Sequence, residues 1–250
     1  MIQTFDMRFA AASAIKSFAS VLRKQCTQSS YLPFLLALYD TLNDDDEEIR
    51  EIGSLASASI LNQALVPVDA AQHLLTWLGT HFGHLEEFRY YITRRMIGDS
   101  TIAADLSNSK DPWPSPEEQF EQTLQFNDSL FVIEEQNLYI DEVREIERWT
   151  CLFKSLSFAD GEASLESLRS WTRQGLDQLA ALAARDDGPL GWTSKPATFA
   201  LCTTIIQCAE ALARLGGDQD MGERLAMLHR VGQNSRLHGI LLSMTGLHPA

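Results

Sequence analysis

Histidine and cysteine are the residues of this sequence that could ligate a metal or supply a nucleophile. His81 and His84 lie at a junction between two helical segments, with His73 a short distance upstream. A zinc site needs three or four nitrogen or sulfur ligands, and no cysteine lies near these histidines. Cys202 and Cys208 are six positions apart, which places them on opposite faces of a helix. We therefore expect no metal site.

Motifs of the common enzyme classes are absent from the sequence. It contains no GxxxxGK[ST] phosphate loop, no GxGxxG after a strand, no GxSxG elbow and no HExxH. Cys26 and Cys151 have no locatable His and acid to activate a thiol, so we expect them in the core or at its boundary. The sequence predicts a chain that is not an enzyme and holds no cofactor.

The most conspicuous polar feature is the acidic run over residues 43–48, which includes Asp44, Asp45 and Asp46. A calcium loop would need oxygens at alternate positions and a glycine for the turn, whereas these acids are contiguous. Two interpretations stay open. The run is an inter-helix turn that caps the next helix and complements its dipole, or its aspartates contact a partner protein.

A small basic cluster is formed by Arg89, Arg94 and Arg95, with Tyr90 and Tyr91 between them. Arginine with aromatic residues is a pattern that holds RNA backbone and stacks bases, so the three arginines are weak candidates for RNA contact. The alternative is an amphipathic helix whose arginines pair with neighbouring acids.

Apolar residues recur every three or four positions along almost the whole chain, which predicts an all-α fold. The first helix, for example, has apolar residues at Phe9, Ala12, Ile15, Ala19 and Leu22. The one strand-like run, residues 130–133, lies between helical segments. The predicted helices cover residues 5–23, 33–42, 46–61, 68–82, 85–97, 115–156, 163–185, 196–215, 221–230 and 235–244.

An internal repeat indicates how these helices are arranged. The pattern acid-acid-apolar-Arg occurs at residues 47–50, 86–89 and 141–144, with 39 and 55 residues between successive arginines. Without the irregular segment 98–114, the second spacing becomes about 38, close to the roughly 40–47 residues of HEAT and armadillo units. We expect an α-solenoid of helix pairs, with repeats over 1–97, an irregular loop over 98–114, and further repeats and a C-terminal cap over 115–250.

The net charge of −14 disfavours general nucleic-acid binding, because an acidic surface repels phosphate. The excess is concentrated in residues 111–160, which carry 12 acids and 3 bases. The longest apolar run, residues 31–39, is far shorter than the roughly 20 residues of a spanning helix. With no signal peptide pattern and no disulfide pattern, we expect a cytoplasmic location.

Two stretches resemble the C-terminal region of the THADA-like family of HEAT-repeat proteins. Residues 38–50, LYDTLNDDDEEIR, resemble one HEAT unit, and residues 134–145, EEQNLYIDEVRE, resemble a second stretch. The second stretch has the same order of residue types as the family: an acidic residue, an asparagine, an aromatic residue and an acidic pair. Residues 8–18 fit the preceding helix, so the resemblance covers roughly residues 5–155.

The resemblance implies a non-catalytic partner of a ribose 2′-O-methyltransferase that acts on the tRNA anticodon loop. In such a pair the enzyme holds S-adenosylmethionine and the scaffold helps to engage tRNA, which this chain would meet only within the complex. The chain would correspond to the C-terminal end of such a scaffold, since the family's central Arg-Arg-Ser-Ala-Gly-Leu-Pro motif is missing. The candidate partner contacts are Asp44, Asp45, Asp46, Glu134, Glu135, Asn137, Tyr139 and Asp141.

A second hypothesis is a HEAT or armadillo module that binds proteins in a process unrelated to tRNA. An all-α enzyme with a site that leaves no sequence motif is a third. A deep pocket with convergent polar groups would favour the enzyme.

Overall fold

The computed structural model describes residues 4–22, 25–65, 67–98, 113–125, 138–159, 161–184, 196–216 and 218–232. Within these ranges the chain forms α-helices and one short 3-10 turn, and it contains no strand. The predicted all-α class is therefore confirmed. The strand-like run 130–133, the helix over 235–244 and residues 99–112 of the expected loop lie outside the described residues.

Residues up to Tyr91 pack as one compact unit, which we call the first unit. Its α3 packs against α1, while α2 and α4 pack against α3 and against each other. Fully buried Leu35, Leu38 and Tyr39 of α2 and Leu74 of α4 supply much of its core. The unit contains α1 (Phe5–Leu22), α2 (Leu32–Leu42), α3 (Glu47–Leu61), α4 (Pro67–Phe82) and the start of α5 (Glu86–Met96).

The helices begin and end at residues whose types favour a helix start or a helix end. Proline lies at the first or second position of four helices, where its fixed φ suits the helix and its missing N–H costs nothing. At the other end of α3, Asn62 adopts the left-handed conformation with φ of 55° and its N–H donates to the carbonyl of Ala58. These local signals explain why most of the predicted helix bounds fall close to the observed ones. Within the predicted segment 115–156 the described helices are Pro116–Gln125 and Leu138–Ser155, and residues 126–137 lie outside the described residues.

The described residues from Ile92 onward belong to the second unit. Its central element is α9, which packs against α6, α7, α8 and α10. Ile205, Cys208 and Ala209 of α9 are fully buried. The helices are α6 (Pro116–Gln125), α7 (Leu138–Ser155), α8 (Ala163–Ala183), α9 (Pro196–Gly216) and α10 (Gln219–Gly232).

Among the described helices, α9 is the one whose length and composition would allow it to cross a membrane. Its window Ala197–Leu215 has a mean hydropathy of 1.2, and 67% of that window is buried inside the fold. A helix covered by four neighbours needs apolar residues on nearly every side, which gives the same composition. The buried Thr203 and Thr204 hydroxyls donate to the carbonyls four residues earlier, at 3.0 and 2.9 Å.

The boundary between the two units falls within the sequence of α5, between Tyr91 and Ile92. The division expected from the sequence, into residues 1–97, 98–114 and 115–250, stays a prediction. Most of the segment that defines it lies outside the described residues.

The contact between α8 and α9 gives a stability prediction at Gly175. A Cβ atom added there would lie 2.8 Å from Cγ1 and 2.9 Å from Cδ1 of Ile205, which is fully buried. We expect Gly175→Ala to lower the free energy of unfolding by about 1–3 kcal/mol, because overpacking outweighs the better helix propensity of alanine. Chemical denaturation would measure the change.

Gly222 is the matched control, because a Cβ atom added there meets nothing within 4 Å. Gly222→Ala should leave stability unchanged or raise it by up to about 1 kcal/mol. Equal effects of the two substitutions would contradict the α8–α9 packing.

Candidate functional site

The acidic turn between α2 and α3 is held by hydrogen bonds to α1 and to the start of α3. Asp46 is the N-cap of α3, and its Oδ1 accepts from the N–H of Glu48 at 2.9 Å. Asp44 Oδ1 accepts from Arg8 of α1 at 2.6 Å and from the N–H of Asp46 at 2.9 Å. Asp45 is exposed. The turn-and-cap interpretation is therefore confirmed, and contact of these aspartates with a partner stays a prediction.

Arg50 closes the same turn from inside α3. Its Nη1 donates to the carbonyl oxygens of Asp44 and Asp45, at 2.6 and 2.9 Å. The preceding Ile49 is buried, with 1% of its surface exposed. The acid-acid-apolar-Arg pattern thus forms the first turn of a helix. Its apolar residue is buried in the core, and its arginine donates hydrogen bonds to the turn that precedes the helix.

The second copy of this pattern repeats the arrangement at the start of α5. Glu86 is the first residue of the helix, Phe88 is fully buried, and Arg89 donates to the carbonyl of His84 at 3.3 Å. In both copies the arginine donates to a backbone carbonyl oxygen, because an arginine at the fourth helical position lies above the turn that leads into its own helix.

The third copy occupies a different position in its helix. α7 begins at Leu138, so Asp141 is the fourth residue of the helix rather than the first. Tyr139 also lies in this first turn by its backbone. Of the other residues in the resembling stretch, Glu134, Glu135 and Asn137 lie outside the described residues. Partner contact by all five stays a prediction.

Two of the three arginines of the basic cluster are buried. Arg94 and Arg95 are only 4% and 9% exposed, whereas Arg89 is half-buried. Arg94 lies over the ring of Trp113, with 5.5 Å between the guanidinium carbon and the ring centroid. So little exposed surface leaves the two guanidinium groups poorly placed to meet an RNA backbone. RNA contact by the three arginines stays a prediction of the sequence alone.

Arg95 forms a partly buried ion pair that connects α5 to α7. Its Nη2 lies 2.7 Å from Oε1 of Glu145, and the same oxygen accepts from Nε1 of Trp149 at 3.1 Å. The Arg95 guanidinium also lies 6.0 Å from the Trp149 ring centroid, within the range of a cation–π contact. Arg95 thus pairs with an acid, as the alternative interpretation expects, but this acid lies on α7, fifty residues away in the sequence.

A network of charges between α8 and α10 was not found by sequence reasoning. Arg173 lies 2.8 Å from Asp220, and Arg224 lies 2.6 Å from Asp177 and 3.0 Å from Asp220. Asp218 caps α10 by accepting from the N–H of Met221 at 3.2 Å. The available signal was Arg169, Arg173 and Asp177 at four-residue spacing on α8, which places them on one helix face.

A cleft of about 350 Å³ lies beside this network, between α8 and α10. Leu176, Ala180, Met227 and Leu228 form its apolar wall. Its charged rim contains three acids, but Arg224 pairs with two of them. The cleft therefore lacks the convergent, unpaired polar groups that characterise an active site.

Two of the cysteines lie in the core of the second unit, and one histidine packs on a tryptophan. Cys202 and Cys208 are buried in α9, and burial raises the pKa of both thiols, so they remain protonated. Cys151, expected in the core or at its boundary, is exposed on α7. His81 stacks on Trp77 with 4.1 Å between ring centroids. The described residues contain no group of three or more His, Cys, Asp or Glu that could hold a metal ion.

The described residues thus define an all-α helical protein whose charged side chains hold helix ends and helix pairs together. Residues 76–248 match the family described as the Trm72 ARM-like repeat region, and the chain belongs to this family. The match extends well beyond residue 155, where the resemblance seen in the sequence ended. The predicted class of HEAT or armadillo-like helical repeats is confirmed.

A curated relative supports the same assignment. The chain is 30% identical over 219 residues to the "tRNA (32-2′-O)-methyltransferase regulator trm732" of Schizosaccharomyces pombe. The alignment covers 83% of this chain and 13% of the relative, so the chain spans a small part of the relative's length. The resemblance drawn from the sequence is confirmed. No solved structure matches the chain significantly.

The Arg95–Glu145 pair predicts a measurable coupling between α5 and α7. In a double-mutant cycle with Arg95→Met and Glu145→Gln, we expect a coupling energy of about 1–2 kcal/mol in the free energy of unfolding. The reason is that either substitution alone leaves one partly buried charge without its ion-pair partner. Additive effects in urea denaturation would show that the pair does not stabilise the fold.

Asp220 predicts a pH dependence of stability. Hydrogen bonds from Arg173 and Arg224 hold its pKa below the ordinary value. Ionised Asp220 therefore stabilises the fold at pH values above the ordinary pKa of an aspartate. This contribution is lost as the pH falls through the pKa that Asp220 has in the folded state. Asp220→Asn should lower the thermal midpoint at neutral pH, and the difference from the parent chain should vanish in strong acid.

Asp69→Asn is the control for Asp220, because Asp69 also lies in the first turn of a helix but is in no ion pair among the described residues. Its effect at neutral pH should be smaller. An Asp220→Asn difference that persists unchanged in strong acid would contradict the assignment.

Proposed function

We propose that this chain is a non-catalytic ARM-like scaffold that regulates a tRNA ribose 2′-O-methyltransferase by binding it. The observation that carries this proposal is the 30% identity over 219 residues to a protein named as a regulator of such an enzyme. In this role the enzyme supplies the S-adenosylmethionine site, and the chain meets tRNA only within the complex. The complex acts in the cytoplasm.

The charge distribution supports a protein partner rather than tRNA as the direct ligand. Glu117, Glu118 and Glu121 are all exposed on α6, within the most acidic segment of the sequence. Such a surface repels a phosphate backbone and attracts a basic protein surface. We therefore propose that these three glutamates face the basic surface of the methyltransferase.

Helix α3 offers a matched acidic surface in the first unit. Glu47, Glu48 and Glu51 are exposed and have the same spacing, and both sets begin in the first turn of their helices. Neutralising either set removes three charges, two of them in the first turn of a helix, where they interact favourably with the helix dipole. The two triple Glu→Gln variants are therefore closely matched and alter different surfaces.

The test measures binding of the purified chain to the tRNA 2′-O-methyltransferase of the same organism, by calorimetry at low and at physiological salt. We expect a complex that weakens as salt rises. The α6 triple variant should weaken it about fivefold to thirtyfold, as expected for rim charges, while the α3 variant binds as the parent chain does.

Two outcomes would contradict parts of this proposal. No complex at low salt would overturn the methyltransferase role and favour an ARM-like module that binds a different protein. If the α3 variant weakens the complex and the α6 variant does not, the methyltransferase role is kept. The contact would then lie at the acidic turn of the first unit.

A further inference from the structure

The cleft between α8 and α10 has an apolar wall that is open to solvent on one side. Leu176 and Leu228, both 3% exposed, line its buried side. Met227 lines its open side and is 64% exposed, more than any other large apolar side chain in the described part of the second unit. A methionine side chain is flexible, so it adapts its shape to an apolar side chain that enters the cleft.

The two helices run parallel, so the cleft has an acidic end and an apolar end. Arg173 of α8 pairs with Asp220 of α10, and Asp177 pairs with Arg224, each over a separation of 47 residues. A constant separation means that the two helices run in the same direction. Met227 follows Arg224 by about one turn of helix, so the apolar wall lies beyond the acids along α10.

The acidic end keeps a net negative charge in spite of its ion pairs. Three acids and one arginine line the cleft, which gives the lining a net charge of −2: Asp177, Asp220, Glu223 and Arg224. The adjoining Arg173 adds no net charge, because Asp218 lies 3.5 Å from it. Arg230 is exposed farther along α10 and does not line the cleft. This end of the cleft therefore attracts a basic segment and repels an acidic one.

The position of the cleft in the helical stack keeps it accessible to a partner. α6 packs against α8 and α8 packs against α10, whereas α7 packs against α9, so α6, α8 and α10 form one row of helices. A further repeat stacks on the end of such a row and does not enter the space between two helices that are already neighbours. The same row contains the three exposed glutamates of α6, which we propose to face the methyltransferase.

We propose that the α8–α10 cleft binds a basic amphipathic helix of the methyltransferase, an inference that rests on the proposed function. Apolar side chains of that helix contact Met227 and the apolar wall, and its lysines or arginines lie against Asp177 and Glu223. The glutamates of α6 attract the enzyme by charge, whereas the cleft adds an apolar contact that excludes water.

A double substitution in the cleft, Glu223→Gln with Met227→Gln, tests this contact. Both side chains are exposed, so the fold should be retained. In the calorimetric titration with the methyltransferase, we expect binding to weaken about tenfold, because one rim charge and the main exposed apolar side chain are lost.

The matched control is the double substitution Glu51→Gln with Leu55→Gln in α3. It also removes an exposed acid and an exposed apolar side chain at a spacing of four residues, but from the first unit. This variant should bind the methyltransferase as the parent chain does.

Salt distinguishes the cleft from the acidic surface of α6. Met227→Gln alone should weaken binding by the same factor at about 0.05 M and at about 0.3 M salt, because salt does not screen an apolar contact. The effect of the α6 triple variant should shrink over the same range, because it removes only charges.

Photocrosslinking identifies the segment that enters the cleft. With benzoylphenylalanine in place of Met227, we expect a crosslink to a methyltransferase peptide that has basic residues and apolar residues at spacings of three and four, read by mass spectrometry. The same group in place of the exposed Leu55 should give no crosslink to the enzyme.

Three results would overturn this inference, and they differ in what they say about the proposed function. If the α6 variant weakens the complex and the cleft variant does not, the methyltransferase role is kept and the cleft is excluded. If the group at position 227 crosslinks only to this chain, with or without the enzyme, the chain covers its own cleft. If no complex forms at low salt, the methyltransferase role fails and the inference fails with it.

Discussion

Each helix of this chain depends on burial against a neighbouring helix, and the other interactions are arranged around that requirement. α9 shows the dependence most clearly, because four helices cover it and its buried residues run along most of its length. A single helix has too few internal contacts to be stable in water. Its neighbours supply the missing contacts, so the polar side chains serve mainly to set where each helix begins and which helix it meets.

Features that depend on a few consecutive residues were predictable from the sequence. Proline and the Asp46 cap mark helix starts because their effects act within one turn. The acid-acid-apolar-Arg pattern located the starts of α3 and α5 for the same reason. It did not give the acceptors of Arg50 and Arg89, which depend on the path of the chain before the helix.

Features that join distant parts of the chain were not predictable. Adjacent arginines at 94 and 95 indicate a basic surface in the sequence, yet both are buried, and Arg95 meets an acid fifty residues later. The pairing of α8 with α10 joins Arg173 to Asp220 over a separation of 47 residues. One sequence contains no information about which of many acids a given arginine meets.

The bonds of Arg50 have a consequence for how such repeats diverge. Its guanidinium binds the main-chain oxygens of residues 44 and 45, which every amino acid carries. The contact therefore constrains the path of the turn and leaves the side chains at those two positions unspecified by Arg50. Arg50 alone would therefore tolerate an exchange at residue 45, whereas Asp44 is also fixed by its side-chain contacts with Arg8 and with the N–H of Asp46. Insertion or deletion within the turn, in contrast, would move the acceptor oxygens away from the guanidinium.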